Sequence, residues 1–139
     1  MIDNVNNPKH YTSHPSGVQA IEITRWLRGP YSNACKYVMR GWDGLKGDPI
    51  EDLQKSIWYL NDAEKYPDYA RRLPDEFFDA VKKYAHSDSD ANKVACIIGI
   101  INAAGIESGN VAPIPLITGA KKLIQDRIAY LQSRPDVAL

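Results

Sequence analysis

The strongest structural signal in the sequence is the start of a helix at Asp48-Pro49. Asp48 can accept hydrogen bonds from the first amides of a helix, Pro49 suits the first helical position, and Glu51 completes a capping box. Apolar residues recur at spacings of four and three over residues 53–60, which is the period of a helix with one buried face. Pro67 should end this helix, because proline disfavours helical conformation in the residue before it.

The same helical period recurs through most of the chain. Further helices are predicted at residues 18–28, 32–41, from about 73 onwards, at 91–104 and at 116–132. Gly105 is predicted to cap the fifth helix, and the isoleucine-rich stretch 94–101 has a strand as its alternative. The predicted fold class is all-α: a compact helical bundle of about six helices, aromatic-rich in its N-terminal half and aliphatic in its C-terminal half.

The chain length fits one domain. Its 139 residues lie in the usual range of a single soluble domain, ~100 to 150 residues. All three tryptophans precede residue 71, so we place a soft boundary between residues 1–66 and a C-terminal helical extension, residues 67–139. We expect the extension to pack on the first region and the two to form one compact unit.

Charge and hydropathy exclude several classes of partner. Seventeen basic residues balance seventeen acidic ones, so the net charge of zero argues against a long nucleic acid or an anionic membrane as partner. No apolar run approaches the ~20 residues of a membrane-spanning helix, and the N-terminus lacks the pattern of a signal peptide. We therefore expect a cytosolic protein that keeps Cys35 and Cys96 as buried thiols.

Positive charge is concentrated in one window. Residues 25–46 contain five basic residues and one acidic residue, a compact patch with a local balance of plus four. Three polar residues of the second predicted helix share one face, and three of the third helix repeat the spacing i, i+3, i+7. Both helices would line a groove in which Arg and Lys bind phosphate and aromatic faces stack on a base. These residues are Asn33, Lys36, Arg40, Asp52, Lys55 and Tyr59.

The N-terminal arm is a second candidate region. Residues 7–11 bring an amide, a cation, an imidazole and a phenol together in a segment with no evident structural duty, and functional groups often lie on such loops. Asn7, His10 and Tyr11 are therefore candidate ligand contacts. The sequence contains no P-loop, dinucleotide-binding, zinc-ligand or G-x-S-x-G motif.

Each of these patterns also has a purely structural explanation. A polar stripe opposite an apolar one is typical of any amphipathic surface helix, and Asp52 would then only stabilise a helix N-terminus. Trp26, Trp42 and Trp58 are expected in the core or in a subunit interface rather than as stacking platforms.

Five short motifs together resemble a known family. They are Asn7-Pro8-x-His10-Tyr11, Ile21-Glu22, Asn33-x-x-Lys36-Tyr37-x-x-Arg40, Leu45-Lys46-Gly47 and Glu51-Asp52-Leu53-x-Lys55-x-x-Trp58-Tyr59-Leu60. In order and approximate spacing they resemble the SaV-like domain of unknown function, a small family common in tailed bacteriophages, across residues 6–61. Residues 67–139 carry no such resemblance and are interpreted as a lineage-specific addition.

The resemblance implies a phage-encoded protein of the host bacterial cytoplasm whose residues 1–66 bind a nucleotide. Some members are described as nucleotide kinases, similar to the T7-type phage enzyme that phosphorylates deoxynucleoside monophosphates without a P-loop. A nucleoside triphosphate would then donate the phosphate, and a role for Mg²⁺ stays open because no motif supports it. The implied catalytic residues are Arg40, Lys36, Asp52 and His10, and the implied substrate-binding residues are Asn7, Tyr11, Asn33, Lys46, Lys55 and Tyr59.

Two other functional classes stay open. The same residues would serve a protein that binds a nucleotide without catalysis, for example one that sequesters a signalling nucleotide of host defence. In the other class the three tryptophans form a surface for a host protein. We expect a homo-oligomer, because small subunits gain buried area by association and exposed tryptophans need covering.

Overall fold

A computed structural model of the chain describes residues 14–68, 72–107, 109 and 111–134. Within these ranges six α-helices are joined by short connections, so the predicted all-α fold is confirmed for this part of the chain. None of these helices has the length and apolar character needed to cross a bilayer. The helices are α1 Ile21–Thr24, α2 Gly29–Trp42, α3 Pro49–Lys65, α4 Asp75–Ser87, α5 Ala91–Ile106 and α6 Ile114–Gln132.

Helix α3 begins where the sequence predicts. The Asp48 carboxylate accepts hydrogen bonds from the amides of Ile50 at 3.0 Å and Glu51 at 3.3 Å, and Pro49 occupies the first helical turn. The Glu51 side chain is 61% exposed and lies 3.4 Å from the Lys55 ammonium. The cap is therefore made by Asp48, while the Glu51 carboxylate points to solvent.

Two predicted helix boundaries are wrong. The helix predicted over residues 18–28 is only four residues long, although Ile23 and Leu27 are buried as the apolar spacing requires. The amides that follow it bond three residues back, which makes turns rather than a continued α-helix. Gly105 does not cap α5, because the helix continues through it to Ile106.

Helices α2, α3, α5 and α6 pack around one shared core. Helix α2 packs against α1, α3 and α5, while α6 covers α3 and α5. The isoleucine-rich stretch 94–101 lies in α5, so the strand alternative is wrong, and Ile97 and Ile100 are buried. Cys35 and Cys96 are free and buried as predicted, and burial raises the pKa of the Cys35 thiol to about 12.

A buried carboxylate joins the two halves of the chain. Glu107 is 2% exposed, and its two oxygens accept hydrogen bonds from Arg28 Nε at 3.0 Å and Nη2 at 3.1 Å. The Tyr31 hydroxyl donates to it at 2.6 Å and the Asp68 amide at 2.8 Å. Burial and the neighbouring Glu107 raise the pKa of Tyr31. The C-terminal end of α5 is thereby fixed to the start of α2 and to the segment after α3.

A buried ammonium makes a second tie. Lys93 is 2% exposed, and its Nζ lies 2.6 Å from Asp43 and 2.8 Å from Asp88. The His14 ring stacks on Tyr84 with centroids 3.7 Å apart, and its Nε2 lies 2.9 Å from Asp88. Burial opposes the charge of Lys93, yet Tyr84 and the two carboxylates raise its pKa. Burial likewise opposes the charge of Asp88, but hydrogen bonds from Lys93, a backbone amide and His14 lower its pKa.

Candidate functional site

The polar faces of α2 and α3 meet beside one tyrosine ring. Both helices bury their opposite faces in the core, which fixes the angle at which their polar faces diverge. The half-buried Tyr37 of α2 stacks on Tyr59 of α3, with centroids 5.9 Å apart and ring planes 8° from parallel. We call the surface formed by Lys36, Tyr37, Arg40, Lys55 and Tyr59 the tyrosine–cation groove.

Three cationic side chains surround the Tyr37 ring. Lys36 Nζ and the guanidinium carbon of Arg40 each lie 4.8 Å from the ring centroid, and Lys55 Nζ lies 5.5 Å from it. At partly exposed sites each such contact contributes about 0.5–1 kcal/mol. The ring therefore gathers positive charge from two helices at one place, which suits an anionic group such as a phosphate.

Arg40 is also paired with Asp52 of α3. Its Nε donates to Oδ2 at 3.0 Å and its Nη2 to Oδ1 at 2.7 Å, and the two side chains are only 15% and 5% exposed. This two-bond geometry fixes the guanidinium and balances its charge. The net positive charge of the groove comes from Lys36 and in part from Lys55, whose partner Glu51 lies 3.4 Å away and is exposed.

A glycine lets the two helices approach closely enough for this pair. A Cβ atom at Gly41 would lie 2.8 Å from the Asp52 Cβ, 3.0 Å from the Pro49 carbonyl oxygen and 3.2 Å from the Leu53 Cγ. The first two atoms belong to or adjoin the α3 backbone and cannot swing aside. Any side chain at position 41 would thus separate α2 from α3 where Arg40 reaches Asp52.

The structure brings five of the predicted site residues together. Asn33 lies one turn earlier on the same face of α2 and is half-buried. Lys46 lies on the exposed α2–α3 loop and makes no ion pair with any described residue. Asn7, His10 and Tyr11 lie outside the described residues. The five that meet are Lys36, Arg40, Asp52, Lys55 and Tyr59.

The compact basic patch predicted for residues 25–46 is divided in the structure. Arg28 lies just before α2 and is held by Glu107, whereas Arg40 lies about 18 Å further along the helix axis. Asp43, the acidic residue of the window, is paired with Lys93 from α5. Lys93 cancels Asp43, but Glu107 and Asp52 offset two of the five basic residues, so the local positive charge is smaller than the plus four of the sequence window.

The sequence prediction assigns no role to Tyr37, the residue at the centre of the groove. The signal for it is an aromatic residue on a helix with cations one position before and three positions after it. The cation three positions on, Arg40, shares the ring's side of the helix, and the long Lys36 side chain reaches the ring from the adjacent position. Tyr59 of the next helix supplies the stacking partner. Sequence spacing alone does not show that the two tyrosines meet.

The described residues do not form a magnesium site. No three His, Cys, Asp or Glu side chains in the described ranges lie close enough together to hold a metal ion. Asp52, the buried carboxylate beside the groove, is already bound on both oxygens by Arg40, and Glu51 is exposed. Because Mg²⁺ needs several oxygen ligands, this donor set does not fit a magnesium ion held by the protein alone.

A separate cleft of about 340 Å³ lies between the segment after residue 13, the α2–α3 loop and the α4–α5 connection. Its polar lining includes His14, Asp43, Asp88 and Lys93, which are bonded to one another as described above. No buried side-chain nitrogen or oxygen among the described residues lacks a hydrogen-bond partner. The polar side chains that line the cleft are therefore already paired with one another.

The fold and the groove together define an all-α protein with a cationic, aromatic surface between two adjacent helices. Residues 5–61 match DUF3310, a protein family of unknown function. The match includes α1, α2 and most of α3, so it contains both sides of the groove, but it covers fewer than half of the 139 residues. No curated protein and no solved structure matches the chain.

Proposed function

We propose that the chain is a phage nucleotide-binding protein whose ligand lies in the tyrosine–cation groove. The observation that carries the proposal is the set of cations from two helices around Tyr37, next to the stacked ring of Tyr59. Lys36 and Lys55 would bind phosphate oxygens, and an outer tyrosine face would stack on the base. The resemblance of residues 6–61 to the SaV-like phage family supports a phage origin and a location in the host bacterial cytoplasm.

The leading activity that we propose is phosphoryl transfer to a deoxynucleoside monophosphate. A phosphate oxygen of the acceptor would attack the terminal phosphorus of a nucleoside triphosphate, whose bond to the bridging oxygen would break. The products would be a deoxynucleoside diphosphate and the nucleoside diphosphate left by the donor. Positioned cations stabilise the charge of this loose transition state, so Lys36, Arg40 and Lys46 would bind the phosphates. Asp52 or His10 would orient the acceptor, and we assign no step to a metal.

Binding without catalysis is the second candidate function. It is favoured by the pairing of Asp52 with Arg40, because both oxygens of this buried carboxylate are already engaged. A groove of this kind recognises a phosphorylated ligand without needing an acid or a base. The protein would then sequester a nucleotide, for example a signalling nucleotide of host defence.

The third candidate is a host-directed interaction protein, but a working surface made of all three tryptophans does not fit their burial. Trp42 is 2% exposed and its indole donates a hydrogen bond to Asp90 at 2.8 Å. Trp26 is half-buried against the core, and Trp58 is 62% exposed on α3. The three side chains therefore do not share one exposed surface.

Calorimetry of the full chain against a panel of nucleoside mono- and triphosphates and cyclic dinucleotides tests binding. Lys36→Ala and Lys55→Ala should each weaken the tightest ligand by roughly tenfold or more, because a hydrogen bond to a charged group contributes about 1.5–3 kcal/mol. Lys122→Ala, on the exposed face of α6, is the matched control and should bind as the wild type does. Failure of every nucleotide to bind would refute the proposal.

Turnover separates the two candidate functions. The tightest ligand is incubated with ATP or dTTP and the products are separated by chromatography. A deoxynucleoside diphosphate supports the kinase, whereas ligand recovered unchanged supports sequestration. Arg40→Ala is the less suitable variant, because it leaves the buried Asp52 unpaired and costs about 3 kcal/mol of folding free energy as well.

A further inference from the structure

Helix α3 carries an exposed face centred on a tryptophan. Trp58 is 62% exposed, while Leu53 and Leu60 on the opposite face are fully buried. At about 100° per residue, Glu51 and Lys65 lie within about 20° of Trp58 around the helix. Each is about 10 Å from Trp58 along the axis, on opposite sides of it, and both are exposed. The face therefore presents an acid, a tryptophan and a base in a row.

The exposed residues of this face follow a heptad spacing. Steps of three and four residues keep them on one side of α3, where a second helix can lie along them. Exposure of a large aromatic side chain to water is unfavourable, and association of two helices would bury the tryptophan at the centre of this stripe. The stripe consists of Glu51, Gln54, Trp58, Asn61 and Lys65.

We propose that this face is the contact between two copies of the chain, with their α3 helices antiparallel about a two-fold axis at Trp58. In such a contact each residue before Trp58 faces the residue equally far after it on the other copy. Glu51 then faces Lys65 of the partner subunit, and the same pair forms a second time across the axis. Gln54 faces Asp62 of the partner subunit, and the two indoles pack against each other.

The order of the charges selects a second copy as the occupant. A parallel arrangement would place the two Glu51 carboxylates together and the two Lys65 ammonium groups together. Only the antiparallel arrangement pairs each with its opposite, so the face is complementary to itself. A base stacked on Trp58 would not require opposite charges seven residues away on either side.

The contact is small, and it borders the tyrosine–cation groove, because Lys55 then faces Asn61 of the partner subunit. Helix α3 has 17 residues and is about 25 Å long, so one helix pair lies at the low end of specific interfaces, below about 1,200 Å². We expect a weak, transient dimer with a dissociation constant in the micromolar range, as small interfaces of this class form. Tyr59 lies about 100° around the helix from Trp58, and the two rings meet edge to face with centroids 5.1 Å apart, so the dimer contact adjoins one wall of the groove.

Sedimentation equilibrium of the full chain tests the proposal. The wild type should show a reversible monomer–dimer equilibrium in the micromolar range, and Trp58→Ala should weaken association by roughly 30-fold or more, as for the central residue of an interface. Glu51→Lys and Lys65→Glu should each be monomeric alone. An equimolar mixture of these two variants should form a heterodimer, because every facing pair is again opposite in charge. Lys122→Glu on α6 is the matched control and should dimerise as the wild type does.

The mixing experiment distinguishes this contact from any other. Glu51, Trp58 and Lys65 are exposed, and circular dichroism confirms that each variant is folded. A wild type that stays monomeric at millimolar concentration would overturn the proposal. So would a dimer unaffected by Trp58→Ala, or two folded charge variants that do not associate when mixed. A nucleotide that shields Trp58 from a fluorescence quencher while the protein stays monomeric would overturn it as well.

Discussion

Replacing Gly41 by alanine tests whether the close approach of α2 and α3 builds the groove. The added Cβ would meet three atoms of α3, at 2.8, 3.0 and 3.2 Å, where contacts below 3.0 Å force a displacement. Overpacking of this kind costs about 1–3 kcal/mol. Alanine also stabilises a helix interior by about 0.8–1.0 kcal/mol relative to glycine. The net expectation for Gly41→Ala is a loss of about 1 kcal/mol.

Gly119→Ala in α6 is the matched control. It is also a glycine inside a helix, but a Cβ there meets no atom within 4 Å. Its expected effect is the propensity gain alone, about 0.8–1.0 kcal/mol of added stability. The difference between the two variants then isolates the overpacking free energy at Gly41, about 1–3 kcal/mol.

The free energy of unfolding of both variants is measured by urea titration, with helix content followed by circular dichroism. The data are fitted with one shared dependence of that free energy on urea concentration. Gly41→Ala should also weaken the tightest nucleotide in calorimetry, because displacement of α3 disturbs the Arg40–Asp52 pair. Gly119→Ala should leave that affinity unchanged. If Gly41→Ala proved as stable as Gly119→Ala, the argument that this glycine sets the helix spacing would be refuted.

Four further predictions concern the buried ionic and thiol groups. Because the pKa of Asp88 is lowered in the fold, its contribution to stability is present above the ordinary value of 3.8 and is lost as the pH falls below that value. The free energy of unfolding of Asp88→Asn, measured in urea, should therefore depend less on pH below 3.8 than that of the wild type. The raised pKa of Lys93 makes its contribution present below 10.5 and lost at higher pH, so the wild type should lose stability in alkaline urea titrations while Lys93→Met shows less pH dependence. Glu107→Ala should cost about 3–5 kcal/mol in chemical unfolding, since it leaves a largely buried guanidinium unpaired, and a change below 1 kcal/mol would contradict that. Cys35 and Cys96 should resist alkylation in the folded protein and react at once in urea, and rapid modification of the native protein would show that they are accessible.

Local signals predicted the helices well where the cause is local. The start of α3 follows from Asp48 and Pro49, because the capping hydrogen bonds of Asp48 reach only amides two and three residues later. The burial of Ile97 and Ile100 in α5 follows from its long apolar run, but exposed Ile106 shows that the helix is not covered on all sides as predicted. Residues 18–28 misled the prediction because turns satisfy the same apolar spacing as a helix, and Ile23 and Leu27 are buried either way.

The groove could be predicted only in part. The spacing of Lys36 and Arg40 on one helix, and of Lys55 and Tyr59 on the next, predicts two polar faces but not the ring between them. Ion pairs between residues far apart in sequence could not be predicted from local spacing. Arg28, for example, pairs with Glu107, which lies 79 residues later in the chain. Local charge counting therefore overstated the positive patch.

The contacts of Glu107 and Lys93 determine whether residues 5–61, the segment that matches the family, could fold without the rest of the chain. Residues 5–61 contain Arg28 and Asp43, whose counter-charges are both supplied from α5. A piece of this chain cut after residue 66 would keep the whole tyrosine–cation groove, yet it would expose the apolar side of α2 and leave these charges without partners. A protein that shares only the matched segment must therefore close that side of α2 by other means, such as a different extension or a second subunit.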